Sequence, residues 1–178
     1  MVRTAAIAVV TAALAWAAPA AAKPHGPVTF AGTCALSGTL VQDPPVTAIP
    51  SQGRARATAT GTCSGTLTDK HGRTRELRDA PARYAAAAEG VVGCGGGSAE
   101  GRGTLTLAGR RIAFAFSEIR GPGGAVVMLE GARGGSAAGE ANASPDEDPA
   151  AIAAACAGPG LRSVGIDITL ATTPSISG

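Results

Sequence analysis

The sequence predicts an all-β protein: an antiparallel barrel or sandwich of about eight strands in up-and-down meander order, with one short helix before the last strand. Three observations carry this expectation. Small apolar and polar side chains alternate from Arg54 to Thr68; Ile112, Phe114 and Phe116, and later Val164, Ile166, Ile168 and Leu170, recur at a spacing of two; and glycine and proline clusters punctuate the chain between such runs. Near-continuous hairpin connections make a barrel the preferred closure.

Taken in order, the first strand is expected around 28–41. Val28, Phe30, Cys34, Leu36 and Leu40 share a parity, with Thr29, Thr33, Ser37 and Thr39 opposite, so one face is apolar and Cys34 lies on it. Pro44, Pro45, Pro50 and Gly53 follow, and proline cannot donate to a ladder, so this stretch reads as a long connecting loop. The second strand sets Ala55, Ala57, Ala59, Gly61, Cys63, Gly65 and Leu67 against Arg54, Arg56 and a row of threonines, the pattern of a sheet with one wet face. Residues 68–73 form a turn, and 73–92 read as one long strand or two short ones broken near Pro81. A flexible glycine run is expected at 93–97. The stretches 103–107, 112–116 and 126–129 continue the meander, turned at Ala108-Gly109 and at Gly121-Pro122.

The segment 135–148 is poor in apolar residues and reads as exposed chain. Asp148 as cap, Pro149 in the first turn, an alanine-rich run and the Gly158-Pro159 stop predict a helix over 148–157. A rival capping box from Ser144 to Glu147 would place Pro149 inside the helix at a cost of ~3 kcal/mol, so the later start is preferred. Residues 163–170 supply the closing strand. Gly-Thr-Cys occurs at 32–34 and again at 61–63, but without the three or more regular copies that a solenoid needs, so the echo reflects small inward residues in a tight sheet.

At the N-terminus, Arg3, an uncharged apolar run from Ala5 to Ala18 and the small residues Ala20, Ala21 and Ala22 predict a signal peptide over 1–22, cut between Ala22 and Lys23. The run is about 14 residues, short of the roughly 20 that span a ~30 Å hydrocarbon core, so no transmembrane segment is expected after cleavage. Residues 23–178 are then a single disulfide-stabilised β domain, and its location is secreted or on the exterior of a bacterial cell envelope. Four cysteines in an exported chain imply two disulfides, with three possible connectivities. If the first two strands are neighbours, the partner of Cys34 falls near 61–63, so the preferred pairs are Cys34 with Cys63 and Cys94 with Cys156. Metal and redox sites favour close spacings such as Cys-x-x-Cys, which the chain lacks.

Loss of Arg3 with the leader leaves 14 basic against 13 acidic side chains, a balance of +1, so no polyanionic partner is implied. Aromatic residues are scarce after the leader: Tyr84, Phe30, Phe114 and Phe116, with Tyr84 alone expected to be partly exposed. Nucleic-acid binding and glycan stacking, which use flat aromatic platforms, are disfavoured. His25 and His71 fall at the mature terminus and in a turn, and no Gly-x-Ser-x-Gly elbow presents a nucleophile. Glu89, Glu100, Glu118 and Glu130 lie near strand ends, where two could converge as acid and base, but no spacing selects a pair. The Asp146-Glu147-Asp148 cluster lacks a calcium-loop pattern and reads as helix capping. Arg73, Arg75, Arg78 and Arg83, interleaved with Glu76 and Asp79, read as a solvated strand face. No catalytic residue, cofactor or metal is assigned.

A Phe-x-Gly-x-Cys opening (Phe30, Gly32, Cys34), the Gly-Thr-Cys-Ser-Gly-Thr-Leu strand at 61–67, a later Gly-Cys among glycines and a final cysteine before the last strand resemble small uncharacterised exported β-proteins of high-GC bacteria. That resemblance implies export and a β-fold and carries no activity with it. Three functions follow as expectations. The first is a secreted, non-enzymatic β domain that binds a protein or envelope-surface partner; the second is a barrel that carries a small apolar ligand; the third is a hydrolase using paired carboxylates. A contiguous apolar pocket favours the carrier, a filled core the binding module, and glutamates converging in a cleft the enzyme.

Overall fold

The alternation along the chain becomes eight antiparallel strands and one helix in the computed structural model, which describes residues 26–122 and 124–178. The strands are β1 (Thr29–Val46), β2 (Ser51–Thr68), β3 (Thr74–Gly93), β4 (Gly96–Leu107), β5 (Arg110–Gly121), β6 (Gly124–Gly131), β7 (Gly135–Ala143) and β8 (Leu161–Ser177), with helix α1 (Pro149–Ala157) before β8. Each strand pairs with the next, and β1 pairs with β8, so the sheet closes as an up-and-down barrel. Closure leaves no free sheet edge. The signal-peptide segment, its Ala22–Lys23 junction and His25 lie outside the described residues.

Three local expectations are corrected, and for 73–92 the single long strand is the alternative that holds. The proline stretch is mostly strand: β1 runs through Pro44 and Pro45 to Val46, and only 47–50 connect it to β2. A register shift against β8 between Val41 and Val46 takes both prolines out of that ladder, while Asp43 still pairs with Arg54 of β2. A bulge tolerates residues that lack an N–H. β3 is a single strand, and its irregularity falls at Asp79 (φ 47°) rather than Pro81. There the Asp79 N–H donates to Ser64 Oγ at 2.9 Å, and the register with β2 slips between Cys63 and Gly65. The glycine run at 93–97 is a tight turn whose last two residues already belong to β4. The supposed exposed chain after Gly135 is β7, held between β6 and β8, with Ala137 buried.

The barrel has two different ends. The β2–β3, β4–β5 and β6–β7 turns mark the lower end, where Phe30, Leu67, Leu77, Leu107, Ile112, Leu129 and Ile176 fill the interior. The 47–50 and β3–β4 connections, the β5–β6 turn and α1 mark the upper end. Between them the Phe114 ring stacks on Tyr84 (centroids 5.6 Å) and meets Phe116 edge-on at 6.2 Å. Space for these rings comes from β4: a Cβ at Gly103 would lie 2.5 Å from the Phe114 ring, and one at Gly101 would lie 2.7 Å from Phe116. Tyr84 is therefore not the partly exposed aromatic expected from the sequence. It is 7% exposed because it shares the inward parity of Ala82 and Ala88. Outward positions carry Arg54, Arg56, Thr58, Thr60 and Thr62, the reverse of the apolar outer band of a lipid-facing barrel.

Both disulfides are internal ties of this frame. Cys34 and Cys63 are directly opposed across β1 and β2, with Cα atoms 4.1 Å apart and both side chains buried. Cys94, in the β3–β4 turn, is bonded to Cys156 of α1. Asp148 caps that helix, accepting from the Ala150 N–H at 2.9 Å, and no residue of the helix is fully buried.

Candidate functional site

The upper half of the lumen is hollow because its walls are uneven in size. Ala55 faces Ala88 and Ala57 faces Ala86 across β2 and β3, four methyl groups where the lower end has leucine and phenylalanine. Val127, Ile166 and Leu170 stand around the rest of the wall, Tyr84 forms the floor with Phe116, and Ile152 and Cys156 of α1 border the open top. The cavity that results has a volume of about 180 Å3. An interior at native packing density leaves few voids larger than a water molecule, so this space is a built feature of the wall.

Polar groups enter this apolar space from separate strands. Gln42 on β1 shares the inward parity of Leu36 and Leu40 and is 3% exposed, and its Oε1 has no hydrogen-bond partner among the described residues. Leaving a buried acceptor unpaired costs about 1–3 kcal/mol. Glu118 and Arg120 continue the inward parity of Ile112, Phe114 and Phe116 on β5. The Arg120 Nε and Nη2 groups both donate to Glu118 Oε1, at 2.8 and 2.6 Å, and the two side chains are only 13% and 10% exposed. Glu118 Oε2 is left without a protein hydrogen bond among the described residues. Burial, and secondarily the charge of Glu118, pushes the Tyr84 hydroxyl well above the ordinary tyrosine range, so it stays a neutral phenol. Asn142 stands at the rim from β7. The lower end also buries polar groups, but Asp69 and Ser177 there have partners in Arg73 and Thr29, whereas Gln42 Oε1 at the upper end has none among the described residues. The polar groups of the upper end line the cavity, where a bound molecule would meet them.

The other candidate residues are dispersed. Glu89 and Glu100 oppose each other on the outer face, where Glu89 pairs with Arg54 at 3.0 Å, and Glu130 is also outward. Of the four glutamates, Glu118 alone enters the lumen, so no two of them converge in a cleft. Arg73 is drawn to Asp69, Arg78 pairs with Glu76, and Arg75 and Arg83 are exposed on the outside. The hydrogen bonds of the Arg73 guanidinium hold the Asp69 carboxyl far below the usual range. That tie closes the β2–β3 turn, together with the Gly72 N–H donating to Asp69 O, and it lies at the end remote from the cavity. Glu147 accepts from the Gly165 N–H, fastening the approach to α1 onto β8. Among the described residues no three His, Cys, Asp or Glu side chains group as a metal site, and no helix is long and apolar enough to cross a membrane.

Gln42, Arg120 and Tyr84 were not singled out from the sequence as site residues. A signal for them existed: each polar side chain sits at an inward parity inside an otherwise apolar series. Comparison with protein-family models, curated proteins and solved structures found no match.

Proposed function

We propose that the protein is an exported, non-enzymatic β-barrel that holds a small, mainly apolar molecule in the upper half of its lumen. The observation that carries this reading is the cavity of about 180 Å3 itself, walled by paired alanines, floored by aromatic rings and bordered at its open mouth by a disulfide-tethered helix. A filled core would have favoured the contact module; this one is filled only in its lower half. Export rests on the leader over residues 1–22, cleaved after Ala22, and two disulfides suit the oxidising compartment to which it would lead. The same features support a secreted or envelope-exterior location in a bacterium.

A second reading has one observation in its favour. Ile119, Val126 and Met128 are 72%, 54% and 52% exposed on adjacent outward positions of β5 and β6, which supports a protein or envelope contact there.

Native and denaturing mass spectrometry on protein exported to an oxidising compartment separates the two. The carrier reading expects a native mass that exceeds the denatured mass by a discrete small-molecule increment, and loss of that increment in Ala57→Leu/Ala86→Leu, whose added side chains fill the lumen. Identical native and denatured masses, with no small molecule taken up on soaking, would remove the carrier reading and leave the outer face as the place to look for a partner.

A further inference from the structure

Resting on the carrier reading, we infer that the lumen selects an uncharged single-ring or short branched molecule bearing one hydroxyl group, and discriminates against carboxylate and ammonium compounds of the same skeleton. Size is the first argument. An engineered apolar cavity of ~150 Å3 accommodates benzene, so about 180 Å3 takes a ring with a few further non-hydrogen atoms.

Charge is the second. The ionised groups lining the cavity, Glu118 and Arg120, already neutralise each other through two hydrogen bonds on one carboxylate oxygen. An anion or a cation entering the space would bring an unbalanced charge into a poorly solvated site, whereas a neutral molecule leaves the balance intact.

Hydrogen-bonding capacity is the third. Among the described residues no donor reaches the buried Gln42 Oε1 or the second oxygen of Glu118, and the two residues line the cavity from strands on different sides of the barrel. If the Gln42 amide is turned the other way, its acceptor and donor exchange places and the amide remains unpaired. A ligand hydroxyl has one proton, which goes to Gln42 Oε1 as the more deeply buried of the two acceptors, and its oxygen can accept from the neutral Tyr84 phenol in return. The apolar body then lies against the alanine wall and the Phe116 ring. A site built to pair a hydroxyl rejects the analogue that lacks one, because its own polar groups are left unpaired.

Calorimetric titration of the exported, disulfide-intact protein tests this with four probes of similar size: 4-ethylphenol, 4-ethyltoluene, 4-ethylbenzoate and 4-methylbenzylammonium. The expected result is that 4-ethylphenol binds at least about tenfold more tightly than the toluene and than either ion. Gln42→Leu should erase the difference, weakening the phenol and leaving the toluene no weaker than in the native protein, and Gln42→Met is the second variant if the branched side chain disturbs folding. Equal affinity for phenol and toluene, tighter binding of either ion, or a phenol preference that survives in both Gln42 variants would overturn the inference and leave the carrier reading standing. Binding that persists undiminished in Ala57→Leu/Ala86→Leu, or no binding of any probe by the native protein, would overturn both.

Discussion

Tyr84 is the only tyrosine in the chain, so a tyrosinate absorbance titration near 295 nm reads one residue. Its hydroxyl titrates ordinarily near 10.0 and higher than that when folded. As pH rises through about 10 the unfolded state loses a proton that the folded state keeps, and stability falls. The native protein should therefore show no tyrosinate signal until well above that pH, and then only as it unfolds; a reversible titration near 10 with the fold intact would contradict the buried position. The same neighbourhood supplies a second test. Arg120→Leu leaves the largely buried Glu118 carboxylate without its partner and should destabilise by about 3–5 kcal/mol in urea unfolding. The double variant Glu118→Leu/Arg120→Leu removes both charges and should recover most of that loss.

At the scale of elements, α1 and β7 are the instructive pieces. α1 touches the barrel through Ile152 and the Cys94–Cys156 bond, with a further hydrogen bond from the Ala48 N–H to Cys156 O at 3.0 Å. It buries too little to be held by packing alone. In Cys94→Ala/Cys156→Ala, hydrogen exchange in 149–157 should speed up by an order of magnitude or more while amides in β2 and β3 keep their protection. Equal acceleration in the strands would mean that the bond stabilises the barrel rather than the helix. The helix was legible in the sequence because its start and stop chemistry, Asp148, Pro149 and Gly158, is local. β7 was not legible, for the opposite reason. Its inward residues are Ala137, Gly139 and Ala141, too small to print a hydrophobic period, and the strand exists because β6 and β8 offer ladders on both sides. Pro44 and Pro45 misled in the same way: their cost depends on which neighbour needs an N–H, and the slip against β8 supplies that answer only in three dimensions.

For the whole molecule, the meander and its inward parities could be read from residue alternation, because one wet and one dry face impose a period of two on every long strand. The site could not. Its volume arises from four alanines on two strands facing larger residues on strands far along the chain, and its polarity from side chains whose convergence depends on closure between β1 and β8. Stability should follow the same division between the ends. Leu107→Ala removes a side chain that is 1% exposed in the packed lower end and should cost about 2–5 kcal/mol. Ile152→Ala trims a half-buried residue beside existing empty space and should cost under about 1 kcal/mol. Equal losses in denaturant titration would show that the upper end is as firmly packed as the lower.

The bond from Cys94 to Cys156 also bears on time. With the bond in place α1 covers part of the cavity mouth and leaves the rest open, so a molecule in the lumen can leave past a fixed helix and its residence would be set by how well it fits. A compound offered to the finished protein would thus reach the lumen as readily as one present while the chain oxidises and folds. Thiol reduction would release that partial cover before it reached the frame, quickening exchange without changing the walls, since the Cys34–Cys63 bond is buried within the β1–β2 pair while the helix bond is only half-buried at the rim.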